Sequence, residues 1–540
     1  MRGPIDLPGG HLIRAQTCLL WAAFALVAVA GAVLLRRWLR EPRAPGAGRQ
    51  ALGLLAVGLL ALGLRLFVSP HTILHENAHG YEFLRGAFRL DGFPYHGQAY
   101  YAFFYLLTSV FGRHPEVVFT TNALLGTASV LLLVPLGRRL TGHASAGWIA
   151  AVGYACWPAV LRISATESFF NLGICVALLA WLAWLRAWET GETLRFALAA
   201  ALIAVVVQAR PEFAAWPVVL LLSLPACPGW SAALRRTGPW VGLVVVALLA
   251  AAWVEFRLQV QSAWGLPEFM HIGPASTLHG FTTRHNLLLR PEWTPAAVWA
   301  LAALGVAGMA VGRWRTLPAL VGGVLVMGWM VMAVDVSDTT RLRLQSPVHP
   351  LILLAVGTGV AAAAARLEGS ARTAALVLLG GALLVTSALR FPLVREPLDP
   401  QREFAFLSRT VRTLPEGCAV ITAERSMAHN VVITEFPVWW LRGPVEYSDR
   451  YLRWPESLDG YPCRFFYRGL SCYLFAGHEA APADGIRPEC RAIGRRHRLV
   501  PHAETTFPSR PYGDHAVPAR TITLGFYRLE PLAPAAATQP

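Results

Sequence analysis

His75, Glu76 and His79 stand in the stretch HENAHGYE (residues 75–82) and spell H-E-x-x-H. On a helix, the i, i+4 spacing puts both imidazoles on one face. They would then hold a zinc ion while Glu76 activates its bound water. The neighbouring residues weaken this reading. The longer H-x-x-G-x-x-H form fails, because Glu82 stands at the glycine position and Arg85 at the third histidine. Asn77 occupies a usually apolar position, and Gly80 weakens a helix directly after the second histidine. The same letters also suit a carboxylate base flanked by histidines on a loop beside a membrane. The elements on either side decide between the two.

Those elements are apolar. The chain has 540 residues, 55% of them hydrophobic, and its mean hydropathy is positive. Apolar runs of about 16 to 22 residues recur from residue 17 to residue 390, as in a polytopic helical membrane protein. About twelve spans are expected, near 17–35, 51–68, 117–136, 144–160, 169–186, 194–209, 212–226, 238–255, 294–312, 317–334, 347–365 and 372–390. The first run lacks a small-residue cleavage site and is followed by Arg36, Arg37 and Arg40, so it reads as a retained span. The net charge of +15 does not indicate nucleic acid, since most arginines before residue 390 sit in short links between spans. The chain contains no lysine, which excludes a P-loop lysine and a Schiff base.

Arginine also sets the sidedness. The links carrying Arg36/Arg37/Arg40/Arg43/Arg49, Arg138/Arg139, Arg235/Arg236, Arg313/Arg315 and Arg366/Arg372 alternate consistently when all are cytoplasmic. Residues 69–116, 256–293, 335–346 and everything after 390 then face outward, HENAHGYE among them. The run AYYAFFYLLTSVFG (99–112) is short for a span and reads as a helix lying in the interface. Beyond residue 390 the composition turns polar. QREFAFLSRTVRTL has helical periodicity, CAVITA, VVIT and ARTITLGFYRLE read as strands, and the tail after Pro531 reads as disordered. Three domains follow: residues 1–50, an added helix with a basic link; 51–390, the membrane domain with outer loop 69–116; and 391–540, a small extracytoplasmic α/β domain. Cys18, Cys156, Cys175 and Cys227 lie in apolar runs as small buried hydrophobes. Cys418, Cys463, Cys472 and Cys490 lie in the outer domain and accommodate one or two disulfides, with three connectivities open for two bridges.

The order of motifs resembles the GT-C superfamily of membrane glycosyltransferases, which includes the protein O-mannosyltransferases and the bacterial aminoarabinose transferases. HENAHG is similar to their outer-loop acidic motif, with Glu76 on its glutamate and His75 in place of its aspartate. YHGQAYYAFFYLLTSVFG (95–112) resembles the following loop segment, and NALLGTASVLLLVPLGRRLTG (122–142) the next span and its basic exit. QARPEF (208–213) resembles a TRPEG element, and RLRLQSPVHPLILLAVG (341–357) the late span entry.

The resemblance implies a sugar donor linked to a polyprenyl phosphate and an acceptor that is a lipid, a glycan or a protein. It implies catalysis at the outer face of a bacterial cytoplasmic (inner) membrane, among membrane lipids and without nucleic acid. Glu76 would accept the acceptor's proton as general base, with His79 beside it. Arg341, Arg343 and Arg210 would hold the donor phosphate, a task for which the guanidinium fork is suited. His75, Glu82, His96, Gln98 and Tyr100 would line the substrate site. With histidine at position 75, a divalent metal is compatible with the site but not required, and no metal ligands are assigned. Two other classes remain open: a membrane zinc protease using His75, Glu76 and His79, and a flippase for lipid-linked glycans. A flippase would usually carry internal pseudo-repeats, which the chain does not show.

Overall fold

The computed structural model describes residues 10–40, 47–74, 79–90, 94–264, 288–312, 314–332, 344–423, 445–473, 482–509 and 521–532, together with Leu278 and Thr282. The chain forms two compact units, residues 1–71 with 86–396 and residues 72–85 with 397–540.

The first unit is a helical bundle. In chain order come α1 (Gly10–Arg40) and α2 (Ala47–Phe67), then α3 (His79–Arg89), which enters from the second unit, and α4 (Pro94–Phe111). Next are α5 (Pro115–Thr141), α6 (Ala144–Cys156), α7 (Pro158–Ser164), α8 (Phe169–Thr190) and α9 (Thr193–Val207). A 3-10 turn (Pro211–Ala215) leads into α10 (Trp216–Leu222), followed by the single turn α11 (Trp230–Ala233) and by α12 (Thr237–Trp264). The unit closes with α13 (Ala296–Gly312), α14 (Gly323–Met332), α15 (His349–Ala364), α16 (Gly369–Ala388) and α17 (Phe391–Arg395).

Every apolar run named above is helical in its described part, so the polytopic character holds. The count of twelve is not confirmed. Among the described residues seven helices are long and apolar enough to cross a membrane, or eight if α6 and α7 count as one bent span. That pair bends by 61° across Trp157, where Pro158 removes the amide hydrogen that would continue the helix. Residues 193–207, 211–226 and 296–311 are shorter apolar helices.

Small residues let the inner helices touch. A Cβ on Gly305 of α13 would lie 1.9 Å from the Ala355 carbonyl of α15, and one on Gly357 would lie 2.2 Å from the Ala146 carbonyl of α6. At one end of the bundle the basic links converge. Arg37 reaches Glu192 at 3.6 Å, Arg195 reaches the same glutamate at 3.1 Å, and Arg139 and Arg186 both bond Glu189. Arg236 donates to the Thr190 carbonyl at 3.3 Å. The ends of α1, α5, α8, α9 and α12 thus share one arginine-rich end, as the alternation of links predicts.

Burial corrects two expectations in part. Cys18 is exposed on α1, whereas Cys156, Cys175 and Cys227 are buried as expected. The first half of α4 is buried at Ala99, Tyr100, Tyr101, Ala102 and Phe104, where α1 packs along it, whereas Leu106, Val110 and Phe111 near its end are exposed. Arg162 and Glu167, on either side of the turn between α7 and α8, are buried at 4% and 0% exposure.

The second unit carries a five-stranded sheet in the order β2-β1-β3-β5-β4. Its strands are β1 (Ala419–Thr422), β2 (Val445–Tyr447), β3 (Arg464–Arg468), β4 (His497–Pro508) and β5 (Thr521–Pro531). β1 pairs in parallel with β2 and β3, and β5 pairs antiparallel with β3 and β4. The helices α18 (Asp399–Thr410), α19 (Ser448–Arg453) and α20 (Pro488–Arg496) complete it. The predicted helix at 401–414 and the strands at CAVITA and ARTITLGFYRLE are present; VVIT lies outside the described residues. Parallel pairing of β1 with β3 brings Cys418 to Cys463, and Cys472 bonds Cys490, so one of the three connectivities is realised.

Between α18 and the sheet, Glu403 is fully buried. Its Oε1 accepts from the Tyr467 hydroxyl and the Leu470 amide, both at 2.8 Å, and its Oε2 has no partner among the described residues. Burial pushes the carboxyl up to about 7. An acid whose folded value is raised holds more protons folded than unfolded, so stability is full below the unfolded value and declines as pH rises through about 7. Thermal unfolding of the purified protein should therefore show the second unit losing on the order of 3 kcal/mol between pH 5 and pH 8. Glu403→Gln, which mimics the protonated carboxyl, should remove most of that slope; an unchanged slope would reject the assignment.

Candidate functional site

The end of the bundle away from the arginine cluster carries a set of buried polar groups. It begins at the first turn of α4. Gly97 has φ 138°, and a Cβ there would sit 1.8 Å from the Ala209 carbonyl, so only glycine fits. Next to it the Ala99 amide donates to the Gln208 carbonyl at 3.1 Å. The segments HGQAYY and QARPEF, about 110 residues apart, are therefore in backbone contact. Gln98 is 1% exposed and donates from Nε2 to the Thr17 hydroxyl of α1 at 2.8 Å. Tyr100 is fully buried, stacks on Phe169 at 4.0 Å and donates to the Glu167 carbonyl at 2.8 Å.

The turn after α9 ends in a buried ion pair. Arg210 meets Glu212 through two parallel bonds, Nε to Oε2 at 3.0 Å and Nη2 to Oε1 at 3.2 Å, with both side chains nearly excluded from solvent. Its guanidinium lies 4.9 Å from the Phe170 ring and 5.6 Å from Phe169. Its Nη1 is buried and has no hydrogen-bond partner among the described residues. Arg257 of α12 interacts electrostatically with both members of the pair. Two guanidinium groups thus stand against one carboxylate, which leaves the group net positive.

Asparagines brace the segment between α7 and α8. Asn122 of α5 donates to the carbonyls of Thr166 (2.5 Å) and Ser168 (3.2 Å), and Asn171 of α8 donates to Ile163 (2.9 Å) and Ser164 (3.4 Å). These bonds satisfy carbonyls that the helix break leaves open, as apolar surroundings demand. Arg162 of α7 donates to the Val394 carbonyl. Arg65 of α2 is fully buried, donates to the Ala61 carbonyl at 3.1 Å and leaves Nε and Nη2 without partners among the described residues. Gly126 of α5 makes room for it, since a Cβ there would stand 2.6 Å from Nε. At the rim, a hydrogen bond to Glu116 at 3.3 Å holds the His71 imidazole above its ordinary range.

Of the residues assigned from sequence, Gln98, Tyr100 and Arg210 are brought together. His75, Glu76, Arg341 and Arg343 lie outside the described residues. His79, Glu82 and His96 fall in α3 and α4, but their side chains lie outside the description. Sequence reasoning missed the partners Thr17, Asn122, Gln208, Glu212 and Arg257, and it missed Arg65. Two signals were legible: polar residues inside apolar runs at Arg65 and Asn122, and the Arg-Pro-Glu spacing that lets Glu212 reach back to Arg210. No group of three metal-ligating side chains occurs among the described residues.

Residues 96–255 match the model of the dolichyl-phosphate-mannose-protein mannosyltransferase family. The matched segment contains Gln98, Tyr100, Asn122, Glu167, Arg210 and Glu212. ArnT from Cupriavidus metallidurans, solved in the apo state, aligns over 89% of this chain and 98% of its own, at 12% identity and a TM-score of 0.54. The chain has the GT-C fold. The expected GT-C resemblance is met by this family match and this architecture together. The oligosaccharyltransferase of Archaeoglobus fulgidus, solved with Zn and sulfate, aligns with this chain over 77% of its length and 68% of the archaeal one, at 12% identity and a TM-score of 0.48. No curated relative matches the sequence.

A buried ion pair is costly to break and cheap to replace. Glu212→Leu, which strands Arg210, should lose about 3–5 kcal/mol in unfolding from detergent micelles. The double variant Arg210→Met, Glu212→Leu should recover most of that loss. Additive losses in the double variant would show that the two residues are not coupled.

Proposed function

We propose that the chain is an integral membrane glycosyltransferase that moves a sugar from a polyprenyl-phosphate-linked donor to a lipid, glycan or protein acceptor at the extracytoplasmic face. The observation that carries this reading is the coincidence of the family match at 96–255 with the buried, net-positive group around Arg210. The family's name specifies a lipid-phosphate-linked sugar donor. Such a donor needs a cation where its phosphate departs, and the Nη1 of Arg210, beside Glu212, has no partner among the described residues.

In this reading the acceptor hydroxyl attacks the anomeric carbon, and the bond from that carbon to the phosphate oxygen breaks. Glu76 takes the hydroxyl proton as general base, with His79 adjusting it. Polyprenyl phosphate leaves with the bonding electrons, held by Arg210 and by Arg341 or Arg343. His75, Glu82, His96, Gln98 and Tyr100 shape the substrate site. Two disulfides in the second unit fit an extracytoplasmic setting, where thiols are oxidised.

Transfer from polyprenyl-phosphate-linked sugars by the purified chain tests the reading. Glu76→Gln should lower kcat by about 10²–10⁴-fold, the usual contribution of a general base, and His79→Ala should cost less. Wild-type turnover by correctly inserted Glu76→Gln would sink the assignment. Zinc bound in stoichiometric amount and lost together with proteolysis in His75→Ala would replace it with the protease.

A further inference from the structure

The helix α1 lies outside the segment that matches the family model. We propose that α1 is part of the donor site's framework, and that Thr17 is a positioning residue acting through the first turn of α4 on Arg210. The inference rests on the reading of Arg210 as a donor-phosphate ligand.

Thr17 is 3% exposed. Its hydroxyl donates to the Ile13 carbonyl at 2.8 Å and accepts from Gln98 Nε2 at 2.8 Å. A hydroxyl carries one hydrogen, so committing it to Ile13 aims a lone pair at Gln98. The other side of this turn is just as constrained. Gly97 abuts the Ala209 carbonyl, and the Ala99 amide holds the Gln208 carbonyl. Arg210 follows directly. The turn 97–99 is therefore a short rigid spacer with α1 on one side and the backbone of the Arg210 turn on the other.

The rest of α1 keeps register along α4. Trp21 donates to the Ala102 carbonyl at 3.3 Å and stacks on Tyr105 at 6.4 Å, and Phe24 meets Phe103 edge-on at 5.9 Å. A helix serving only to anchor the chain would need neither a buried hydroxyl nor a polar contact at this depth. In an apolar bundle the Thr17–Gln98 bond has no water to replace it, so its loss must move the spacer or strand an amide.

The test uses the full chain in detergent with two probes, radiolabelled polyprenyl phosphate for binding and a polyprenyl-phosphate-linked sugar for turnover. Thr17→Val should weaken polyprenyl phosphate binding and raise the donor KM by about 10-fold, with kcat changed by less than about 2-fold. Thr17→Ser, which keeps the hydroxyl, should restore both. In an Arg210→Gln background Thr17→Val should cost nothing further, because its effect runs through Arg210. The double substitution Thr17→Cys, Gln98→Cys, in a Cys18→Ser background, should cross-link under mild oxidation. Wild-type binding by Thr17→Val, failure of Thr17→Ser to rescue, additive losses with Arg210→Gln or absence of the cross-link would each overturn the inference. Failure of the wild-type chain to bind polyprenyl phosphate would instead remove the functional reading on which it rests.

Discussion

A guanidinium and a carboxylate held together in an apolar bundle impose more order than any apolar contact there. The pair formed by Arg210 and Glu212 is worth its desolvation only if the geometry is bidentate and the neighbours hold it so. Phe169 and Phe170 supply faces for the cation, which fixes the start of α8. Tyr100 stacks on the same Phe169, which ties in α4. Because the pair stands at the end of a turn, the carbonyls of Gln208 and Ala209 are also placed, and α4 docks on both. One electrostatic constraint thus propagates into the relative positions of α4, α8 and α9.

The break between α7 and α8 follows similar logic. A helix broken inside an apolar bundle exposes carbonyls that water cannot reach. Asn122 and Asn171 take four of them, and Arg162 crosses to the Val394 carbonyl. The break is paid for locally, by side chains whose polarity would be unfavourable anywhere else on these helices. The nearby buried charges Arg65 and Arg162 belong to the same half of the bundle as Arg210, while the arginines at the other end are exposed or paired with Glu189 and Glu192. The two ends therefore differ in kind. One collects solvated cations in short links, and the other collects polar groups removed from water.

Apolar periodicity was enough to locate the helices, because a bilayer-length apolar run has few other conformations open to it. It could not locate where such runs break. Residues 194–209 are continuous in hydropathy, yet α9 ends at Val207 because the Gln208–Pro211 turn is held by α4 from a distant part of the chain. The site was legible to the same depth. Gln98, Tyr100 and Arg210 belong to motifs and were found; their partners lie 81 residues away for Thr17 and 67 for Glu167, beyond any local pattern. In the second unit β3 escaped notice since RFFYR buries three residues in succession and shows no alternation. The disulfide pairing had to await the sheet, as only the adjacency of β1 and β3 selects Cys463 for Cys418.

The absence of lysine sharpens the meaning of the buried cations. A buried ammonium sheds its proton readily, whereas a guanidinium stays charged and offers five hydrogens in a plane. Arg65 and Arg162 use part of that plane on helix carbonyls, and Arg210 uses one edge on Glu212. A lysine at position 210 could not make the paired bonds, spread over the Phe170 ring and still present a further hydrogen. Charge alone is therefore not what this end of the bundle requires. It requires cations that remain charged when buried and that can serve the fold with one edge while another stays open.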